Sequence, residues 1–259
     1  MSDGKVTSED RGRVRILTLD RPNAYNALSL HMIDALDAAL DEALADDAVG
    51  VLVLQGSGRG FCAGHDLKEM RAHGSAEELA QLFDRCGVVM ERIAVSTKPV
   101  IAAVHGVATA AGCQLVASCD LAVAAASARF ATPGVNIGLF CSTPMVALSR
   151  AVPRKHALEM LLLGEMIDAE HASRIGLVNR VVADGSHLEA AIAMAERISG
   201  HSPLVLRLGK AAFQAQLEQP LPEAYRHCAQ VMVDNMLALD AAEGIDAFLE
   251  GRKPSWQNA

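Results

Sequence analysis

The stretch "VIAAVHGVATAAGCQLVASCDLAVAAA", residues 100–126, decides how the fold is read. Residues 99–106 are small and β-branched apolar residues with no polar alternation, the pattern of a strand buried on both faces. A turn rich in glycine and alanine follows. Residues 111–118 then read as a helix, and "DLAVAAA" (120–126) as another buried strand. Small residues at such a hand-over let the backbone come close to something else. The first polar side chain on the short helix is Gln114. Its amide can hold a hydrogen bond but cannot take a proton.

On both sides of this unit the pattern recurs. "VRILTLDRP" (14–22) is β-rich and ends at a proline turn, and Ser29 can cap a helix in which Ile33, Leu36, Leu40 and Leu44 keep helical spacing. "VGVLVLQGSG" (49–58) is a buried strand and residues 75–94 are helical. From Met145 onward helices dominate. Asp168 opens one and Gly176 closes it, Ser186 and Gly200 bound the next, and a short strand (176–182) interrupts the run. Buried strands alternating with helices give an α/β fold. No Pro/Gly/Ser-rich linker divides the chain. The expectation is one continuous domain, with an α/β core over residues 1–195 and a helical C-terminal lobe over 196–259.

The totals narrow the function. The chain has 259 residues, enough for one sizeable core. It is 51% hydrophobic yet only 3% aromatic, so Ala, Val, Leu and Ile must fill that core. A net charge of −8 without a Lys/Arg run argues against nucleic acid. No apolar run reaches the ~18 residues of a membrane span. The start, "MSDGKVTSEDRGR", is acidic and has no apolar segment, so neither a secretory nor a transit signal is read there, and a cytoplasmic protein is expected. The six cysteines include no C-x-x-C pair. No zinc or redox motif and no other metal site is therefore expected, and the thiols read as reduced and mostly buried.

Two turns are suited to chemistry: "GRGFCAGHDLKEM" (58–70) and "HGVATAAGCQL" (105–115), each directly after a buried strand. Ligands of α/β sheets bind at the carboxyl ends of strands. The second turn also opens a helix, whose free N–H groups carry partial positive charge. One amide from each turn, aimed at one carbonyl oxygen, would make an oxyanion hole. Small residues in such turns also serve packing alone, and spacing leaves both readings open.

At these residues the chain resembles the enoyl-CoA hydratase/isomerase (crotonase) superfamily, essentially from end to end. "LDRPNAYNALS" is similar to its N-terminal "RP…NAL" signature, and "GRGFCAGHDLKEM" to its "FCAG-x-D-L" turn. "VHGVATAAGCQLVASCDLAVAAASARFATPGVNIGL" resembles its glycine-rich block and the following "F-x-x-P-E", and "GIDAFLEGRKPSW" its C-terminal end. The resemblance implies a crotonase-like spiral of ββα units with a helical oligomerisation lobe. It implies a homotrimer or dimer of trimers, and an acyl-CoA or enoyl-CoA thioester as ligand. Coenzyme A enters as part of the substrate, with no separate cofactor.

Carried over position by position, the oxyanion donors are the backbone N–H groups of His65 and Ala111, the latter where the family usually has glycine. Ala63, Asp66, Leu67 and Lys68 fall on the stretch that holds coenzyme A, with Gly112 and Gly134 also at the substrate. Lys210 falls where a basic residue often reaches a coenzyme A phosphate, although a solvated lysine on a helix face is the alternative. The family's two catalytic glutamates fall on Gln114 and Gly134, and a further aspartate of some relatives falls at or near Ser142. All three positions lack a carboxylate. Hydration of an enoyl thioester needs an activated water and a proton delivered to the α-carbon. The resemblance therefore implies a lyase or isomerase scaffold of fatty acid metabolism whose oxyanion hole stabilises a thioester enolate without the two-glutamate pair. The alternative is a non-catalytic acyl-CoA-binding or scaffold protein. Cys141 and Asn136 are further polar candidates near the missing acid; a buried structural thiol and a turn cap are their simpler roles.

Overall fold

The computed structural model describes residues 4–72 and 75–259. The chain runs through β1 (Lys5–Arg11), β2 (Val14–Asp20), α1 (Leu30–Ala45), β3 (Val51–Gly56), α2 (Leu67–Ala72) and α3 (Ala76–Val95). It continues through β4 (Val100–Val104), β5 (Val107–Thr109), α4 (Ala111–Ser118), β6 (Leu121–Ala125) and β7 (Arg129–Ala131). Then come α5 (Ser142–Ala151), α6 (Arg154–Leu163), β8 (Ile167–Asp168), α7 (Ala169–Arg174), β9 (Arg180–Val182) and α8 (His187–Ser199). Three helices close it: α9 (Pro203–Leu217), α10 (Leu221–Met236) and α11 (Leu239–Glu250).

The main sheet has the order β1-β2-β3-β4-β6-β9, antiparallel between β1 and β2 and parallel elsewhere. Its central strands are buried on both sides because side chains alternate across a strand. Val51, Val53, Ile101, Ala103 and Val123 face one way and pack under Ala191, Ile192 and Ala195 of α8. Leu52, Leu54, Ala102 and Val104 face the other way, toward α1, α3 and α4. A second, small sheet, β5-β7-β8, stands beside the carboxyl ends of the first. With so few aromatics, Phe61 and Phe130 are the largest fully buried side chains.

Of the three helix starts read from the sequence, Ser29 and Asp168 carry a side-chain cap, while Ser186 before α8 makes no capping hydrogen bond among the described residues. The Ser29 hydroxyl accepts from the Met32 amide, Ser75 and Glu78 form a reciprocal capping box, and Asp168 accepts from His171. The strands that the sequence reading did not anticipate are β1, β5, β7 and β8. β1 is a mostly exposed polar edge strand, so it carries no buried apolar run to betray it. The other three are two or three residues long, too short for periodicity to show.

Asn26 does more than the sequence suggested. It is fully buried, its Oδ1 accepts from the Arg21 amide at 2.9 Å, and its Nδ2 donates to the carbonyls of Ser57, Gly60 and Phe61 at 2.9, 2.8 and 3.1 Å. One side chain thus ties the turn after β3 to the N-terminal loop and sets the path of the chain into residues 61–66.

Candidate active site

Residues 61–66 run between two backbones and bond to both. Phe61 and Cys62 donate to the carbonyls of His105 and Val107, and Thr109 donates back to Cys62. On the other side, Ala63 donates to Tyr25, Leu28 to Gly64 and Asp66 to Leu28. These bonds take up the amides of Phe61, Cys62, Ala63 and Asp66 and leave that of His65 without an acceptor among the described residues.

The second turn is built by a strained residue. Ala110 sits at φ 49°, ψ −117°, a conformation that costs a non-glycine residue on the order of 1–3 kcal/mol. It is held there by its own amide, which donates to Ala131 at 2.9 Å, and by its carbonyl, which accepts from Gln114 at 3.0 Å. α4 then starts at Ala111, whose N–H belongs to the unpaired first turn of the helix.

Glycines press the two turns together. A Cβ on Gly64 (φ +93°) would lie 3.2 Å from the Ala111 nitrogen and 2.9 Å from the Thr109 oxygen. A Cβ on Gly112 would lie 2.0 Å from the Cys62 carbonyl oxygen. Gly112 therefore acts as a packing glycine that seats α4 against residue 62. The amides of His65 and Ala111 stand in one neighbourhood, and neither donates to an atom among the described residues.

The other expected residues are placed as follows. Asp66 is a tether. Its carboxylate lies 2.8 Å from the Arg21 guanidinium and accepts the Lys68 and Glu69 amides, capping α2. Burial works against its ionisation, but Arg21 and these amides outweigh it and hold the acid below the usual carboxylate range. Ala63 gives its carbonyl to the Thr109 hydroxyl, while Leu67 and Lys68 are exposed on α2. The His65 imidazole meets Phe83 of α3 edge-on at 5.3 Å. Burial pushes its pKa down to about 4, so it is neutral near pH 7.

Lys210 differs from both of its expected roles. Its side chain is only 9% exposed and its ammonium lies 2.7 Å from Asp120, with further bonds to Ser96 and to the carbonyls of Ile93 and Lys98. It ties α9 to the ends of α3, β4 and α4. A lysine so engaged is neither a solvated helix-face residue nor placed to reach out to a phosphate.

Gln114 is 3% exposed, and its Oε1 has no hydrogen-bond partner among the described residues. It stands on the wall of a cavity of about 770 Å³ between α3, α4, α5 and α9. Three carboxylates also line this cavity. Asp120 is taken by Lys210, Glu218 lies 3.6 Å from Arg150, and Glu91 on α3 makes no ion pair or hydrogen bond among the described residues. Sequence reasoning missed Glu91 because it sits in an ordinary amphipathic helix.

Gly134 lacks more than an acid. A Cβ there would lie 2.7 Å from the Leu139 oxygen and 2.9 Å from Cys141 Sγ, so the following loop occupies the start of any side chain. Cys141 is buried, which raises its thiol pKa, and among the described residues no base bonds to it. Asn136 donates to the Gly164 carbonyl at 3.2 Å, and Ser142 begins α5.

The spiral of strands and helices, with its trailing helical elements, is the crotonase fold. Human enoyl Coenzyme A hydratase domain-containing protein 3 superposes with a TM-score of 0.94 at 46% identity, over 97% of this chain and 99% of that one. An enoyl-CoA hydratase from Mycobacterium smegmatis gives 0.94 at 50% identity, over 97% and 98%. The chain belongs to the enoyl-CoA hydratase/isomerase family, whose profile matches residues 9–259. It is 46% identical over 259 residues to the rat mitochondrial enoyl-CoA hydratase domain-containing protein 3, covering 99% of this chain and 86% of that protein.

These relatives correct one expectation. The rat protein and its mouse and human counterparts are named mitochondrial, which overturns the cytoplasmic placement read from the N-terminal composition. Among the described residues, no helix is long and apolar enough to cross a membrane.

Proposed function

We propose that this protein binds an acyl-CoA or enoyl-CoA thioester with its carbonyl oxygen between the amides of His65 and Ala111, and that it works without the two-glutamate acid/base pair. The observation that carries the reading is the pair of amides, on two turns pressed together at Gly64, that donate to nothing among the described residues. Buried peptide N–H groups rarely stay unpaired without reason. Two of them on one carbonyl oxygen stabilise the negative charge of an enolate or tetrahedral intermediate, each contributing about 3 kcal/mol. Gln114 can hold a water or a substrate donor with its unpartnered oxygen, but it cannot serve as a base. Ala63, Leu67 and Lys68 flank the first turn, where the coenzyme A portion would lie.

Titration with crotonyl-CoA, followed by assay of its hydration, tests this. Binding is expected, with turnover below that of a two-glutamate hydratase by more than the roughly 10²–10⁴ that one general acid or base contributes. No binding removes the thioester reading. Turnover at the full hydratase level refutes the loss of acid/base machinery; abolition of that turnover by Glu91→Gln would then assign the missing role to Glu91. Binding with no turnover on any acyl thioester favours the non-catalytic alternative.

Self-association belongs to the same proposal. Tyr225 and Leu237 at α10 and Phe248 and Leu249 of α11 are large apolar side chains left exposed, an arrangement that marks an interface. A homotrimer or a dimer of trimers is expected, and native mass measurement distinguishes these from a monomer.

A further inference from the structure

In the turn after β3, Asn26 holds the carbonyls of Ser57, Gly60 and Phe61, and that of Gly58 is left to a side chain from another strand end. His105, the residue after β4, puts its Nε2 3.0 Å from the Gly58 oxygen. A carbonyl only accepts, so Nε2 carries the proton and Nδ1 is the bare nitrogen of the ring. That Nδ1 is buried and has no partner among the described residues, so no second hydrogen bond competes for the ring. The backbone of the same residue takes the other side of the turn, where its carbonyl accepts from the Phe61 amide at 2.9 Å. His105 thus spans residues 58–61, where the chain bends into the stretch that leads to His65.

The turn has little stiffness of its own. Gly56, Gly58 and Gly60 fall within it, and Gly58 takes φ +75°. Glycines leave a backbone free unless outside contacts fix it. The end of β4 supplies them: a Cβ on Gly106 would lie 2.1 Å from the Arg59 oxygen. His105 is itself braced. His187, the first residue of α8, sets its ring 4.8 Å from that of His105, tilted by 31°, and its own Nδ1 is also buried without a partner among the described residues. Burial and the neighbouring imidazole lower the His187 pKa, with Asp184 working against them, so its ring is uncharged near pH 7.

We infer that His105, braced by His187, is a positioning residue for the oxyanion turn, and that its bond to Gly58 sets the aim of the His65 amide at the thioester carbonyl. The inference rests on the thioester reading above, because that carbonyl is its readout. His105 acts through the backbone of residues 58–65. A misplacement on the order of 1 Å can cost a positioned group about 10²-fold.

The carbonyl frequency of bound crotonyl-CoA, labelled with ¹³C at the thioester carbon, tests it, because a merely structural role would leave that frequency unmoved in a folded variant. The unaltered protein should lower the frequency from its value in water. His105→Phe keeps a ring against His187 and loses the donor. The frequency should then move back toward that in water, and thioester affinity should fall about tenfold, the equivalent of one hydrogen bond. His105→Gln places an amide N–H where Nε2 stood and should restore both. His187→Ala should move the frequency in the same direction as His105→Phe, by less. Thermal melts establish that the variants fold, and His105→Leu replaces His105→Phe if the latter does not. An unmoved frequency in the folded His105→Phe or His105→Leu variant, or a His105→Gln variant no better than it, would overturn the positioning role while leaving the carbonyl site intact. An unmoved frequency in His187→Ala would overturn the brace. No lowering in the unaltered protein would remove the carbonyl site and this role with it.

Discussion

The two walls of the site have fared differently. On the proposed amide wall, strained Ala110, the close approach at Gly64 and the packing at Gly112 press together two turns whose His65 and Ala111 amides donate to nothing among the described residues. On the acid/base wall, Gln114 keeps the shape of a glutamate without its charge, and at Gly134 the loop through Leu139 and Cys141 fills the side-chain space. Backbone donors survive almost any substitution, because every residue but proline supplies one. Proton-handling groups are lost by a single exchange. In the proposed reading, the scaffold keeps its backbone donors for a thioester carbonyl while the side chains beside them carry no carboxylate.

The contrast can be broken at either wall. The largest effect is expected at Gly64→Ala, whose methyl group would crowd the Ala111 amide from 3.2 Å. Thioester affinity should fall, and any turnover should fall by about 10²-fold, the equivalent of one oxyanion donor lost from the transition state; an unchanged Kd and an unchanged rate would place the carbonyl elsewhere. Lys210→Met comes next. It leaves the partly exposed Asp120 without its cation and removes the buried ammonium's bonds to Ser96, Ile93 and Lys98, and should cost about 2 kcal/mol in urea unfolding, with thioester affinity held. A large loss of affinity in a stable variant would return Lys210 to the ligand.

The His65 imidazole gives a pH signature. Its pKa is lower folded, about 4, than in the unfolded chain, about 6.5, so the unfolded state binds the proton more tightly. Its contribution is intact above about pH 6.5 and is lost as the pH falls toward 4, on the order of 2 kcal/mol. His65→Leu should flatten that part of the stability profile, and identical slopes in the two proteins would contradict the burial of the ring. The smallest effect is at Gly134→Ala, expected to destabilise by about 1–2 kcal/mol through contact with Leu139 and Cys141. Glutamate at that position should do worse. Restoring hydration would therefore require reshaping the loop as well as replacing residues, and a stable, hydrating Gln114→Glu, Gly134→Glu variant would show the loop to be compliant.

Much of the fold was legible because its core strands are uninterrupted apolar runs and two of its helices open on the caps Ser29 and Asp168. β1 was not, since an exposed polar edge strand has its partner but no pattern. The two turns were legible as places of close approach, with Ala111 and His65 as donors by resemblance. What the sequence did not disclose depends on distance in space. Asn26 bonds four backbone groups up to 35 residues away. Lys210 closes on Asp120 across 90 residues. Glu91 meets Gln114 only as the lining of a shared cavity.

In the proposed function, two amides polarise one thioester carbonyl. Infrared difference spectroscopy of bound crotonyl-CoA, labelled with ¹³C at the thioester carbon, reads that carbonyl directly. A stretch shifted to lower frequency than in water, and moved back by Gly64→Ala, is the expected result. A stretch unchanged on binding would show that the carbonyl rests on no such donors.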